Sequence, residues 1–138
     1  MAFIRSFREL IAYQKARAAA KEVFHLSKRF PRDERYSLTD QIRRSSRAVG
    51  SMVAEAWARR RYEAAFVNKL NEAQGEATES QGWLDSALDC EYITPVEHAR
   101  FDALFQEVGA ILQGMIDRSE TFCPPAGKRE DRRVEDRG

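Results

Sequence analysis

Three sets of side chains in this chain have types and spacings that could do chemistry. Arg43, Arg44, Arg47, Arg59, Arg60, Arg61 and Lys69 crowd into one stretch. Guanidinium groups suit phosphate oxygens because their planar fork makes paired hydrogen bonds, and an array along a helix and its following turn can track a nucleic-acid backbone. Trp57 and Tyr62 fall within the stretch and offer faces for base stacking. The alternative for the same cations is a salt-bridged face, met by the chain's own acids or by a neighbouring subunit.

The other two sets are weaker. Glu22 and His25 have the Glu-x-x-His spacing with which di-iron bundles aim two ligands at one metal. Such sites need the motif twice, and the other histidine, His98, directly follows Glu97. No metal or cofactor is therefore expected. Glu72, Glu76 and Glu79 stand one turn apart, a spacing open to acid/base work. No second acidic helix or nucleophile motif completes such a site, so a solvated or paired face is the simpler reading, with Glu79 placed to meet an arginine. Cys90 and Cys123 lack metal-ligand spacing and read as reduced thiols. No catalytic residue is assigned, and the chain is expected not to be an enzyme.

The elements that position these residues are helices. Seven glycines and four prolines in 138 residues, sparse through the middle, favour long helices over strands and turns. The first helix is expected from about Phe7 to Lys28, with Leu10, Ile11, Ala16, Ala20, Val23, Phe24 and Ser27 at helical spacing, ending before Phe30-Pro31. Ser37 should cap the second, whose apolar face is Leu38, Ile42, Val49, Val53 and Ala56 and whose flank carries Arg43, Arg44 and Arg47. It should end between Ala56 and Tyr62.

The third helix, Glu63 to Asp89, repeats every seven residues through Phe66, Leu70, Ala73, Ala77, Ser80, Leu84 and Ala87. A second stripe, Asn68, Gly75, Gly82 and Asp89, has the same period. Interior glycines cost about 1 kcal/mol each against alanine. Gly75 and Gly82 therefore call for a close approach, either within the bundle or at a subunit interface. Thr94-Pro95-Val96-Glu97 is a capping box with proline at the first helical position, opening a fourth helix whose broad face is Phe101, Leu104, Phe105, Val108, Ile111, Leu112, Met115 and Ile116. These four helices with short connections predict an all-α, antiparallel, up-down-up-down four-helix bundle over residues 1–120. A charged tail, expected to be disordered, follows over 121–138.

A net charge of +1 conceals an asymmetry: residues 1–69 carry 16 Lys and Arg against 7 Asp and Glu, and residues 70–120 carry 2 against 11. Two readings follow: the acidic half sits against the basic half, or a basic surface stays open to an anionic partner. No apolar run approaches the roughly 20 residues that span a bilayer, and the N-terminus lacks a signal-peptide core, so a cytoplasmic protein without membrane contact is expected.

Phe30-Pro31 with Glu34, Tyr36, Leu38 and Gln41-Ile42-Arg43-Arg44, then Val53-Ala54-Glu55, then Phe66, Leu70, Ala73, Gly75 and Glu79, and finally Tyr92-Ile93, resemble the small four-helix bundle family encoded in intervening sequences of large-subunit ribosomal RNA genes. That family includes the accessory variability protein of diversity-generating retroelements. The resemblance spans roughly residues 7–118. It implies a non-catalytic homopentameric ring, and in the retroelement branch a ring that binds a reverse transcriptase and RNA or DNA through a basic surface. Carried over, Arg43, Arg44 and Arg47 belong to that basic set, and Glu55 and Glu79 to recurrent acidic positions of structural use. Met52 and Ala56 depart from the family's usual Asn and Gly. Two functions follow as expectations: an oligomeric scaffold for RNA or a reverse-transcriptase ribonucleoprotein, or a protein-only assembly module of the ribosomal intervening-sequence branch with no nucleic-acid binding.

Overall fold

The computed structural model describes residues 3–125. Among them the regular structure is helical: α1 (Ile11–Ser27), α2 (Leu38–Ala58), α3 (Glu63–Asp89) and α4 (Pro95–Asp117), with 3-10 turns at Phe7–Glu9, Arg32–Glu34 and Ser119–Thr121. The first helix starts later than its periodicity suggests. Ser6 and Glu9 cap each other across the 3-10 turn, and Leu10 is extended (φ −68°, ψ 129°) with its side chain buried. The break moves the apolar face to Ala12, Ala16, Ala19, Val23 and Leu26 and leaves Ile11 61% exposed, contrary to its expected place in the core.

The start of α2 also differs from expectation. Ser37 makes no side-chain cap; its hydroxyl donates to Glu34 Oε1 at 2.5 Å, and that same oxygen accepts from the Leu38 amide at 3.3 Å. The carboxylate three residues upstream thus does the work assigned to the serine. The capping box of α4 forms as its sequence indicates, with Glu97 N–H donating to Thr94 Oγ1 and Thr94 N–H to Glu97 Oε1. Between α3 and α4, Glu91 takes up a left-handed conformation (φ 62°), which costs a non-glycine residue about 1 kcal/mol and here lets Tyr92 N–H close onto Ala87 O.

The helices pack in a cycle, α1 on α2, α2 on α3, α3 on α4 and α4 on α1. Along each seam residue numbers rise on one helix as they fall on its neighbour. Ser45 Oγ meets Ser80 Oγ at 2.8 Å in the α2–α3 core, and one end of that seam brings Glu55 to Lys69. On α3–α4, Gln74 donates to Gln113, Gln81 to Gln106, and Asp85 reaches His98. The α1–α4 seam carries three ion pairs: Lys15 with Glu107 at 3.0 Å, Glu22 with Arg100, and Arg29 Nη2 with Glu97 Oε1 at 3.0 Å.

All seven α3 positions of the heptad are buried. Small residues at Ala73, Ala77 and Ser80 let α2 approach closely enough for the two buried serines to bond. Packing continues past residue 120: Phe122 stacks on Phe66 with ring centroids 5.8 Å apart, and Cys123 is buried. The expected tail therefore begins later than residue 121, and its charged part, 126–138, lies outside the described residues. Among the described residues no helix is long and apolar enough to cross a membrane.

Candidate nucleic-acid interface

The seven cations grouped in the sequence do not form one array. From Arg43 to Arg59 the helix rises about 24 Å at about 1.5 Å per residue, which puts the two arginine clusters at opposite ends of α2. The first cluster lines a cleft of about 960 Å³ with Lys28, Arg32, Arg35, Arg43, Arg44 and Arg47 in its walls and Asp40 as its one carboxylate. The walls come from three segments: the last turn of α1 (Ser27, Lys28), the connection (Phe30 to Arg35) and the first half of α2 (Thr39 to Ser51).

Arg43 is anchored at the cleft wall. Its Nε donates to Oγ of the buried Ser27 at 2.7 Å, and Ser27 in turn donates to Phe24 O. Using Nε for the anchor leaves both Nη groups for a paired contact with an oxyanion. Phe24 gathers three cations around one ring: Lys28 Nζ lies 4.7 Å, Arg43 Cζ 4.8 Å and Arg47 Cζ 5.7 Å from its centroid. The ring's negative face offsets part of their mutual repulsion. Among the described residues no carboxylate pairs with Lys28, Arg32, Arg35, Arg43 or Arg47 within 4.0 Å. Past Arg47 and Ser51 the cleft adjoins a smaller groove of about 330 Å³ between α1 and α2, lined also by Phe7, Tyr13 and Arg17.

The remaining members of the sequence set have other surroundings. Lys69 is held by Glu72 at 2.8 Å and Glu55 at 3.1 Å, and its pKa is raised, first by the Glu72 bond. Arg60 lies 3.8 Å over the Trp57 ring and donates to Trp57 O, which covers the indole face expected to stack bases. Arg61 lies 5.6 Å from the Tyr62 ring centroid, and Arg59 is exposed in the turn. Arg44 borders the cleft but also donates to Glu79 at 2.9 Å, where Trp83 Nε1 donates as well. Glu55 and Glu79, the two recurrent acids, each hold a cation across the α2–α3 seam.

The connection that carries Arg32 and Arg35 is clamped to the α3–α4 turn. Glu34 Oε1 accepts from Ser37 and Oε2 from Tyr92 Oη at 2.8 Å, which lowers the pKa of Glu34, and the Glu34 bond pushes the Tyr92 phenol up to about 12. Phe30 packs on Tyr92 at 5.6 Å, and the Arg29 fork holds the Glu97 carboxyl down to about 2. Glu34 and Glu97 thus bind protons less readily in the folded chain. Their support is in place above the ordinary carboxylate range and is lost as pH falls through the depressed values.

The three α3 acids diverge. Glu79 pairs with Arg44, and Glu72 with Lys69. Glu76 has its Oε2 buried without a hydrogen bond, and burial followed by the Glu79 charge raises its pKa. A raised carboxyl favours the folded state only while protonated, a contribution lost as pH rises through the folded pKa. Glu76→Gln is therefore expected to stabilise the protein near neutral pH by up to about 1 kcal/mol. The gain should disappear below the ordinary pKa of 4.5. Thermal unfolding at the two pH values checks it, and an equal gain at both would sink the account.

Glu22, half of the metal-type motif, pairs with Arg100 instead. Among the described residues no three His, Cys, Asp or Glu side chains come together as a metal site. Gly75 and Gly82 are exposed on α3, and a Cβ built on either meets nothing within 4 Å. Close helix contact inside the bundle is therefore not their purpose. Lys28, Arg32 and Arg35 are the cleft residues that sequence spacing missed. The available signal was the run of cations on the Phe30-Pro31 turn, which folds back beside the first turns of the next helix.

The sequence profile of a family described as 23S rRNA-intervening sequence protein matches residues 8–114. A crystal structure from Bacteroides thetaiotaomicron, described as a protein with unknown function from the S23 ribosomal protein family, is similar over 78% of this chain and 96% of its own, with 28% identity and a TM-score of 0.70. No curated protein matches the chain.

Proposed function

The chain belongs to the 23S rRNA-intervening sequence protein family, and from that premise we propose that it is a non-enzymatic, oligomeric scaffold that binds RNA through the cleft between α1 and α2. One observation carries the reading: five cations gathered in one cleft have no carboxylate partner among the described residues, whereas Lys15, Arg29, Arg44 and Lys69 each have at least one. The acidic half therefore neutralises the α1–α4 and α2–α3 seams and leaves the α1–α2 face basic. A surface built only for internal pairing would distribute its acids to all seams.

The finer features of the proposal rest on the family resemblance and on the exposed stripe of α3. An up-down-up-down bundle is the topology that the four seam registers support. Gly75 and Gly82 present an open, side-chain-free strip to which a second subunit can come close, in keeping with a homopentameric ring. A reverse transcriptase of the retroelement type is the protein partner that the resemblance suggests, in the cytoplasm. The test is binding of a labelled, structured RNA across a salt series, with Arg43→Gln, Arg44→Gln and Arg47→Gln combined. The triple variant is expected to bind at least about ten-fold more weakly and with a shallower salt slope, because each lost phosphate contact removes a released counterion. Equal binding at every salt concentration overturns the proposal. Light scattering reads the subunit number independently.

A further inference from the structure

We infer that the cleft is a site for a polyphosphate terminus, the 5′ di- or triphosphate of an RNA or of a free nucleotide, and not merely a stretch of backbone track. The inference rests on the RNA-binding reading of the same cleft and gives it a ligand. An internal phosphodiester brings a single charge. A terminal phosphate carries about −1.5 to −2 with three acceptor oxygens, and every phosphate added behind it brings more. With Arg44 paired to Glu79, five further cations still face one carboxylate in a single concavity, more charge than one passing diester can balance. A backbone-tracking surface spreads its cations along a line, whereas these converge from three segments on one hollow, which focuses the field at its centre.

The excess is maintained by the way nearby acids are deployed. Asp33 and Glu34 lie between Arg32 and Arg35 in sequence, yet neither lines the cleft. Glu34 is occupied by Ser37, the Leu38 amide and Tyr92. Glu79 reaches Arg44, the cation nearest the α3 side. The clamp on Tyr92 holds the backbone that carries Arg32 and Arg35, and the Ser27 anchor holds Arg43, so part of the charge is in place before any ligand arrives. A compact polyanion gains most from such preorganisation because little side-chain ordering remains to be done.

The experiment uses the full chain and one RNA sequence bearing a 5′ triphosphate, a 5′ monophosphate or a 5′ hydroxyl, with inorganic tripolyphosphate and a nucleoside triphosphate titrated separately. At about 0.15 M salt, where exposed charges are screened beyond about 8 Å, the triphosphate RNA is expected to bind about ten-fold or more tighter than the hydroxyl RNA. Tripolyphosphate should compete for that preference, and Arg32→Gln with Arg35→Gln should bring the ratio between the two RNAs to about one. Both positions are exposed on the connection, so unchanged thermal unfolding confirms that this variant folds. A nucleoside triphosphate that binds as tightly as the triphosphate RNA makes the free nucleotide the source of the terminus. Equal affinity for the three RNA ends overturns the inference and leaves the RNA reading standing. Binding of tripolyphosphate without any RNA binding does the reverse, and no binding of either overturns both.

Discussion

Replacing Phe66 with alanine is expected to lower the unfolding free energy by about 3–5 kcal/mol, the range for fully buried phenylalanines. Phe66 has no exposed surface, lies in the first turn of α3 and stacks on Phe122 at 25° between ring planes. Phe122 cannot easily follow an alanine inward. The turn that carries it is tied down by Ser119, whose hydroxyl donates to Glu63 Oε2 at 3.2 Å, and by the buried Cys123. The deleted ring therefore leaves a cavity open to little collapse. Set against the roughly 5–15 kcal/mol of an ordinary domain, this is a large share of the total. Urea unfolding should show a lower midpoint at unchanged slope. Phe122→Ala, at a half-buried position, should cost about 1–2 kcal/mol. A Phe66→Ala loss below about 1 kcal/mol would refute the enclosed packing.

Reversing charge in the cleft should have the largest effect on binding. Arg43→Glu with Arg47→Glu is expected to weaken RNA binding by about 100-fold or more, because it removes two charge-assisted contacts and opposes those that remain. Arg59→Glu with Arg60→Glu, at the far end of α2, should cost about five-fold or less, since a separation of about 24 Å exceeds the roughly 10 Å screening length at 0.1 M salt. Arg47→Glu alone is the companion variant: Arg47 touches the Phe24 ring but lacks the Ser27 anchor of Arg43, so it isolates charge from folding. Equal losses from the two ends of the helix would show that the cleft is not the binding surface.

Periodicity was most legible where neighbours were uniform. The α3 heptad is buried at every expected position because Phe66 to Ala87 alternates steps of three and four without a break. Local chemistry was less legible where two residues competed for one role. Ser37 has the type and position of a cap, but Glu34 is charged, reaches the same amide and also accepts from Tyr92, a partner 58 residues away. At the start of α1 the apolar spacing alone hides that Leu10 is extended and Ile11 exposed; the Ser6–Glu9 box, a local signal that the periodicity overrode, and the buried anchor at Leu10 decide it. For the cleft, Arg43, Arg44 and Arg47 stand out by proximity, but proximity also admitted Lys69 and the turn arginines. Helical rise and the acids of α3 separate those groups, and only tertiary structure brings Lys28, Arg32 and Arg35 to the remainder.

The α1–α4 seam has one further consequence, for alignment. The buried face of α1 begins with Ala12, Ala16 and Ala19, small and nearly alike, so against a seven-residue slide the apolar face offers only the misfit of Val23 and Leu26 with the alanine sites. The ion pairs add a second obstacle. Lys15, Glu22 and Arg29 alternate in sign, as do Glu107, Arg100 and Glu97 opposite them. A slip of two turns in one direction sets Glu22 against Glu107 and Arg29 against Arg100; in the other it sets Lys15 against Arg100. Each exposed pair is worth no more than about 1 kcal/mol when matched, yet a slipped helix loses the matches and gains repulsions together. The ladder adds little to the depth of the native well and more to its uniqueness, reinforcing the alignment that Val23 and Leu26 set.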